Sequence, residues 1–72
     1  MKFPCISSHQ CIKALEKIGF REIRQRGSHV VLYRDNPQAQ LVVPIHDTLD
    51  RGTLRAIIRH SHLMVAEFIE LL

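Results

Sequence analysis

The stretch Gln25-Arg26-Gly27-Ser28-His29, running into Val30-Val31-Leu32-Tyr33, decides how the chain is read. Glycine tolerates φ > 0, serine is a turn former, and the four residues after His29 are β-branched, aromatic or leucine, so the segment reads as a tight turn entering a strand. The same five residues put one imidazole, which titrates near neutral pH, beside guanidinium groups that match phosphate. If the chain does chemistry, it is expected here.

Outward on the N-terminal side, Phe20 to Gln25 alternates loosely and supplies the first strand of a hairpin, with Ser28 to Arg34 as the second. Before it, Ser7 followed by Gln10 forms a capping box, and Cys11, Ala14, Leu15 and Ile18 fall at i, i+3, i+4 and i+7. Lys13, Glu16 and Lys17 take the other side. The pattern predicts an amphipathic helix over about Ser8 to Ile18, closed by Gly19 in the left-handed position.

On the C-terminal side, Asp35-Asn36-Pro37-Gln38 is a second turn and Leu41 to Ile45 a third strand. Pro44 lacks an amide donor and belongs near that strand's end or on an edge. His46 to Gly52 is polar and turn-rich. From Thr53, a candidate N-cap, Leu54, Ile57 and Ile58 make an apolar stripe, with Arg55 and Arg59 on another face. Ser61-His62 interrupts this helix, and Val65, Phe68, Ile69 and Leu72 mark a final short one. The order is α-β-β-β-α-α. Consecutive strands with tight connections form an antiparallel meander, and one-sided helices need its apolar face, so the fold class is α+β, a small two-layer sandwich with a three-stranded sheet.

A chain of 72 residues with 46% hydrophobic and 24% charged composition has room for one globular domain, here residues 1–72. Ten Lys and Arg against seven Asp and Glu give a net charge of +3, which suits a polyanion. All the arginines lie between Arg21 and Arg59, whereas the tail beyond carries only Glu67 and Glu70. A nucleic-acid surface in the middle of the chain is the expectation; a solvated basic face is the plainer reading. No apolar run suits a signal peptide or a membrane span, so a cytoplasmic protein is expected.

Cys5, His9 and Cys11 make a Cys-x3-His-x-Cys that lacks the four ligands and the knuckle spacing of structural zinc. Reduced thiols are expected instead. His46-Asp47 with Asp50 offers too few oxygens for a hard cation, and His60 and His62 are spaced wrongly for chelation on a helix. No metal or cofactor is expected.

Gly19-Phe20, Arg24-Gln25-Arg26-Gly27-Ser28-His29, Val43-Pro44-Ile45-His46 and Gly52-Thr53-Leu54-Arg55-x-Ile57-Ile58-Arg59 together resemble the HicA family, the toxins of HicA/HicB toxin-antitoxin modules. The resemblance runs from Ser7 to Leu72 with the blocks in order. It implies a fold similar to the double-stranded RNA-binding domain, mRNA interferase activity, and inhibition by a HicB-like antitoxin that covers the His29 face. It implies that His29 is catalytic and that the free toxin has no direct business with DNA. Two departures stand out: Met64 occupies the place of a small polar cap, and Ser61-His62 replaces an Ala-Gly type of joint.

The residues support that chemistry independently. RNA carries its own nucleophile, the 2′-OH, and a histidine can move the proton that attack requires. His29 is then general base or acid. Gly27 and Ser28 allow close backbone approach to phosphate, and Arg24 and Arg26 bind it and offset developing charge. Arg55 adds a further phosphate contact. His46 is either a second proton carrier and RNA contact or a cap for the loop before the second helix. His29 can also be read as an ordinary strand residue at a hairpin, which leaves a non-catalytic RNA-binding module as the alternative function. Since His29, Val31 and Tyr33 share one parity and Val30 and Leu32 the other, alternation does not say which set faces the helices.

Overall fold

The computed structural model describes residues 3–72, ordered α1 (Ser8–Glu16), β1 (Arg21–Arg26), β2 (His29–Asp35), β3 (Gln38–Pro44), α2 (Arg51–His60) and α3 (Val65–Ile69). This is the expected α+β order, with an antiparallel sheet arranged β1-β2-β3.

α1 starts as its sequence dictates. The Gln10 N–H donates to Ser7 Oγ at 3.1 Å and the Ser7 N–H to Gln10 Oε1 at 2.9 Å, so both halves of the box form. Its α-helical ladder stops at Glu16, two residues short of the expected end, because Lys17 and Ile18 bond back only three residues, to Ala14 and Leu15. Phe20 N–H then reaches Leu15 O and Gly19 N–H reaches Glu16 O, a Schellman closure with Gly19 at φ 98°.

Arg26 pairs directly with His29, leaving a two-residue turn whose first member, Gly27, has φ 57°. Glycine-first turns of this kind match the twist of the strands they join. β3 begins at Gln38 rather than Leu41, because the second turn is also only two residues long: Asp35 already pairs with Gln38 across a cis Asn36–Pro37. Pro44 closes an edge strand, where its missing N–H costs no ladder bond.

The register settles the question of faces. Val30, Leu32 and Arg34 stand opposite Val43, Leu41 and Ala39, and all six are buried toward the helices. The five apolar ones join Leu15, Leu54, Ile57, Ile58 and Phe68 in one apolar cluster; each fully buried side chain such as Leu54 or Phe68 contributes about 1.5–3 kcal/mol by leaving water. The second parity, His29, Val31 and Tyr33, lies on the helix-free face, where His29 is exposed, Tyr33 half-buried and Val31 buried.

α2 begins two residues before Thr53. Its N-cap is Asp50, not Thr53: the Asp50 carboxylate accepts the Thr53 N–H at 2.6 Å, and the loop delivers Asp50 in extended backbone, φ −70° and ψ 160°. The helix ends in a second Schellman closure, Leu63 N–H to Ile58 O and His62 N–H to Arg59 O, with His62 at φ 65°. The joint thus keeps the left-handed geometry glycine would adopt, on a histidine. Ser61 is fully buried, and its carbonyl accepts from Arg34 Nη2 at 3.0 Å while Arg34 Nε donates to Pro37 O at 2.8 Å. The guanidinium also stacks on Phe20, 4.5 Å from the ring centre. A buried arginine is thereby hydrogen-bonded through Nε and Nη2, and it ties the second turn to the α2–α3 joint.

α3 has no side-chain cap at Met64, as expected of that residue; the Glu67 carboxylate instead accepts the Met64 N–H at 2.7 Å. The α3 ladder stops at Ile69, short of Leu72.

Candidate active site

The hairpin turn and the ends of β1, β2 and β3 bring the predicted residues together unequally. His29 is the first residue of β2, exposed, with Arg26 opposite it on β1 and Pro44 opposite it on β3. Arg24 faces Val31 one step further along. Arg24 and Arg26 are exposed and, among the described residues, form no ion pair, so both guanidinium groups are free to meet an anion. Gly27 adds access: a Cβ built there meets nothing within 4 Å, so the turn is open to a ligand from that side.

Ser28 contributes its backbone to the architecture. Its carbonyl accepts the Ile45 N–H at 2.7 Å, which prolongs the β2–β3 ladder past Pro44. His46 follows at once. Its backbone is held by the buried Ser8, whose N–H donates to His46 O at 3.1 Å and whose hydroxyl accepts the His46 N–H and donates to Pro44 O at 2.6 Å. The His46 side chain is exposed, beside a cleft lined by Ser7, Ser8, His9, Ile45 and Asp47. It also acts on the cap of α2. Hydrogen bonds from Thr53 hold the Asp50 carboxyl below the usual carboxylate range, and the charge of His46 adds a smaller push in the same direction.

Arg55 is placed elsewhere. It projects from the helical layer, 5.0 Å from the Phe3 ring centre, with Arg51 at 5.5 Å from the same ring. It belongs to α2 in the helical layer, whereas His29 stands on the sheet's other face.

Among the described residues no three His, Cys, Asp or Glu side chains converge as a metal site. Cys11 points into the core, where burial pushes its thiol up to about 12, and Cys5 is exposed, so the Cys-x3-His-x-Cys spacing is opened out by the helix start. No helix of the described residues is long and apolar enough to cross a membrane.

Sequence reasoning passed over Ser8, Arg21 and Tyr33. Ser8 carries no local signal, since its partners lie at Pro44 and His46. Arg21 and Tyr33 were legible only through the register that pairs them.

No curated protein matches the chain closely enough to be informative. The family model described as the HicA toxin of bacterial toxin-antitoxin systems matches residues 8–63, from the first residue of α1 to the joint after α2. That span contains the hairpin, its histidine and its arginines in one continuous match. With the helix–meander–helix order and the Gly-Ser-His turn in place, the chain belongs to the HicA toxin family, and so takes the toxin's part in a toxin-antitoxin pair.

Proposed function

We infer that the protein is an mRNA interferase, an endoribonuclease toxin that cuts single-stranded regions of mRNA in the cytoplasm and is held inactive by a HicB-like antitoxin seated over His29. The observation that carries this reading is the cross-strand pair of His29 and Arg26, exposed beside the Gly27 turn on the helix-free face of the sheet. A proton carrier and a phosphate ligand are thereby held side by side on rigid strands.

The mechanism follows from RNA's own chemistry. The 2′-oxygen loses its proton, attacks the adjacent phosphorus, and the bond from phosphorus to the 5′-oxygen breaks as that oxygen gains a proton. His29 performs one of these transfers, which is worth about 10² to 10⁴ in rate. Arg26 and Arg24 offset the charge that grows on the phosphoryl oxygens, and Gly27 and Ser28 let the backbone approach them. His46, fixed by Ser8 two residues past the partner of His29, is the candidate for the second transfer. Arg55, on the helical layer, serves only as a peripheral contact for RNA that extends beyond the site. DNA lacks the 2′-OH and is not a substrate.

The test is cleavage of a purified transcript by the full chain in EDTA, beside His29→Ala at equal folded concentration. Cleavage by the first and its loss in the second is expected. Intact RNA bound in a salt-dependent way would instead favour the non-catalytic binding module.

A further inference from the structure

We propose that the helix-free face of the sheet is a platform for single-stranded RNA, in which Tyr33 stacks on a base and Arg21, Arg24 and Arg26 form a column for successive phosphates. The proposal rests on the ribonuclease reading and adds to it how the substrate lies.

The register sets out a three-by-three grid on this face. Down β1 run Arg26, Arg24 and Arg21; down β2, opposite them, run His29, Val31 and Tyr33; and down β3 run Pro44, Val42 and Gln40. The β1 column exists because of an irregularity. Arg21 and Arg24 are three residues apart and would face opposite ways in a regular strand, but the pairing slips between Glu22 and Arg24, and the extra residue, Ile23, restores the phase. Three arginines then share one face. The carboxylate nearest this column is Asp35, already bonded to Arg21 at 2.9 Å, while Glu22 pairs with Leu32 on the opposite parity. The charge of the face is that of a polyanion's complement.

Tyr33 supplies what a phosphate column cannot. Its ring is half-buried, hence fixed, and it already takes a planar cation, Arg21, at 5.3 Å from its centre. The Arg21–Asp35 pair is largely exposed and so weakly held, which leaves a base able to enter beside or in place of the guanidinium. An A-form duplex keeps its bases stacked and offers no base face to such a ring; an unpaired strand does. Along β2, Tyr33 lies four residues from His29, roughly 13 Å at strand rise. With the scissile phosphate at His29, the stacked base belongs to a nucleotide about two steps away, which makes Tyr33 a specificity-determining residue remote from the bond cut.

The test measures binding with cleavage silenced. The full chain carrying His29→Ala is titrated against a fluorescein-labelled RNA single strand of about a dozen nucleotides and against its blunt duplex, by anisotropy. Tighter binding of the single strand is expected. Tyr33→Leu, which keeps an apolar residue in the strand but removes the ring, should weaken it roughly five- to hundred-fold, whereas Tyr33→Phe should stay within about twofold. Arg21→Ala and Arg24→Ala should each reduce the slope of log affinity against log salt by about 0.7. Equal affinities for Tyr33→Leu and Tyr33→Phe, preference for the duplex, or no affinity for the single strand would overturn the platform. Ring-dependent binding by a chain whose native form cuts nothing would sink the ribonuclease reading alone, so the two failures are distinct.

Discussion

Arg26 stands directly across the sheet from His29, and the two are joined by a turn of only two residues. No rearrangement of strands can separate them without opening the hairpin. On the proposed mechanism Arg26→Ala therefore lowers kcat/KM for RNA by about 10- to 1000-fold with little change in melting temperature. Lys13, exposed on α1 and paired with Glu16 at 3.7 Å, is the control: Lys13→Ala should leave cleavage within about twofold. Equal losses from both would point to general charge rather than to a local site.

Ser8 fastens α1 to the end of β3 through four contacts with Pro44 and His46. Ser8→Ala leaves the Pro44 carbonyl and the His46 N–H short of a partner in a part-buried place, while the His46 carbonyl keeps the Ser8 N–H. A loss of about 1–3 kcal/mol in urea unfolding is expected. If His46 is the second proton carrier, the variant should also reshape the pH profile of cleavage at temperatures where it remains folded.

His62 holds φ 65° at the Schellman closure of α2. A residue with a Cβ pays about 1–2 kcal/mol there, partly offset in a glycine variant by its freer unfolded chain. His62→Gly should accordingly raise stability by several tenths to about 1 kcal/mol, read as a higher denaturant midpoint at unchanged slope. His62→Val, β-branched and ill-suited to this region, should move the midpoint down.

Asp50 caps α2, and its hydrogen bonds from Thr53 lower its folded pKa below the unfolded value near 3.9. A lowered carboxyl pKa gives stability that is complete above the unfolded value and is lost as pH falls through the folded one. The native chain should thus melt above Asp50→Ala at neutral pH, and the gap should narrow as acid titration carries the carboxyl below its ordinary range. Asp50→Asn, still able to accept from Thr53, should lie between them at neutral pH.

Much of this fold is legible in the sequence. The Ser7–Gln10 box, the stripe Cys11-Ala14-Leu15 and the Gly19 stop are local, so sequence alone located α1. The Gly27-Ser28 hairpin was readable for the same reason, and with it His29, Arg24 and Arg26. What was hidden depended on partners far along the chain. Both parities of β2 are apolar, and only pairing with Ala39, Leu41 and Val43 shows that Val30 and Leu32 face inward. Arg34 looks like a surface cation, yet carbonyls of Pro37 and Ser61 make its burial tolerable. Asp50 and Thr53 are both good caps by composition, and the loop's path chose Asp50. Arg55 has the right chemistry for phosphate but stands on the helical layer beside Phe3, a placement no spacing rule could reveal.

The division of the sheet into a face packed on helices and a face that carries His29 has a regulatory corollary. His29 and its arginines are strand residues locked by the same ladder that holds the core. On the proposed function, a toxin built this way is competent as soon as it folds, and its restraint comes from counting: each molecule is silent only while a copy of the proposed antitoxin occupies it, and the balance of synthesis and decay between the two proteins becomes the switch.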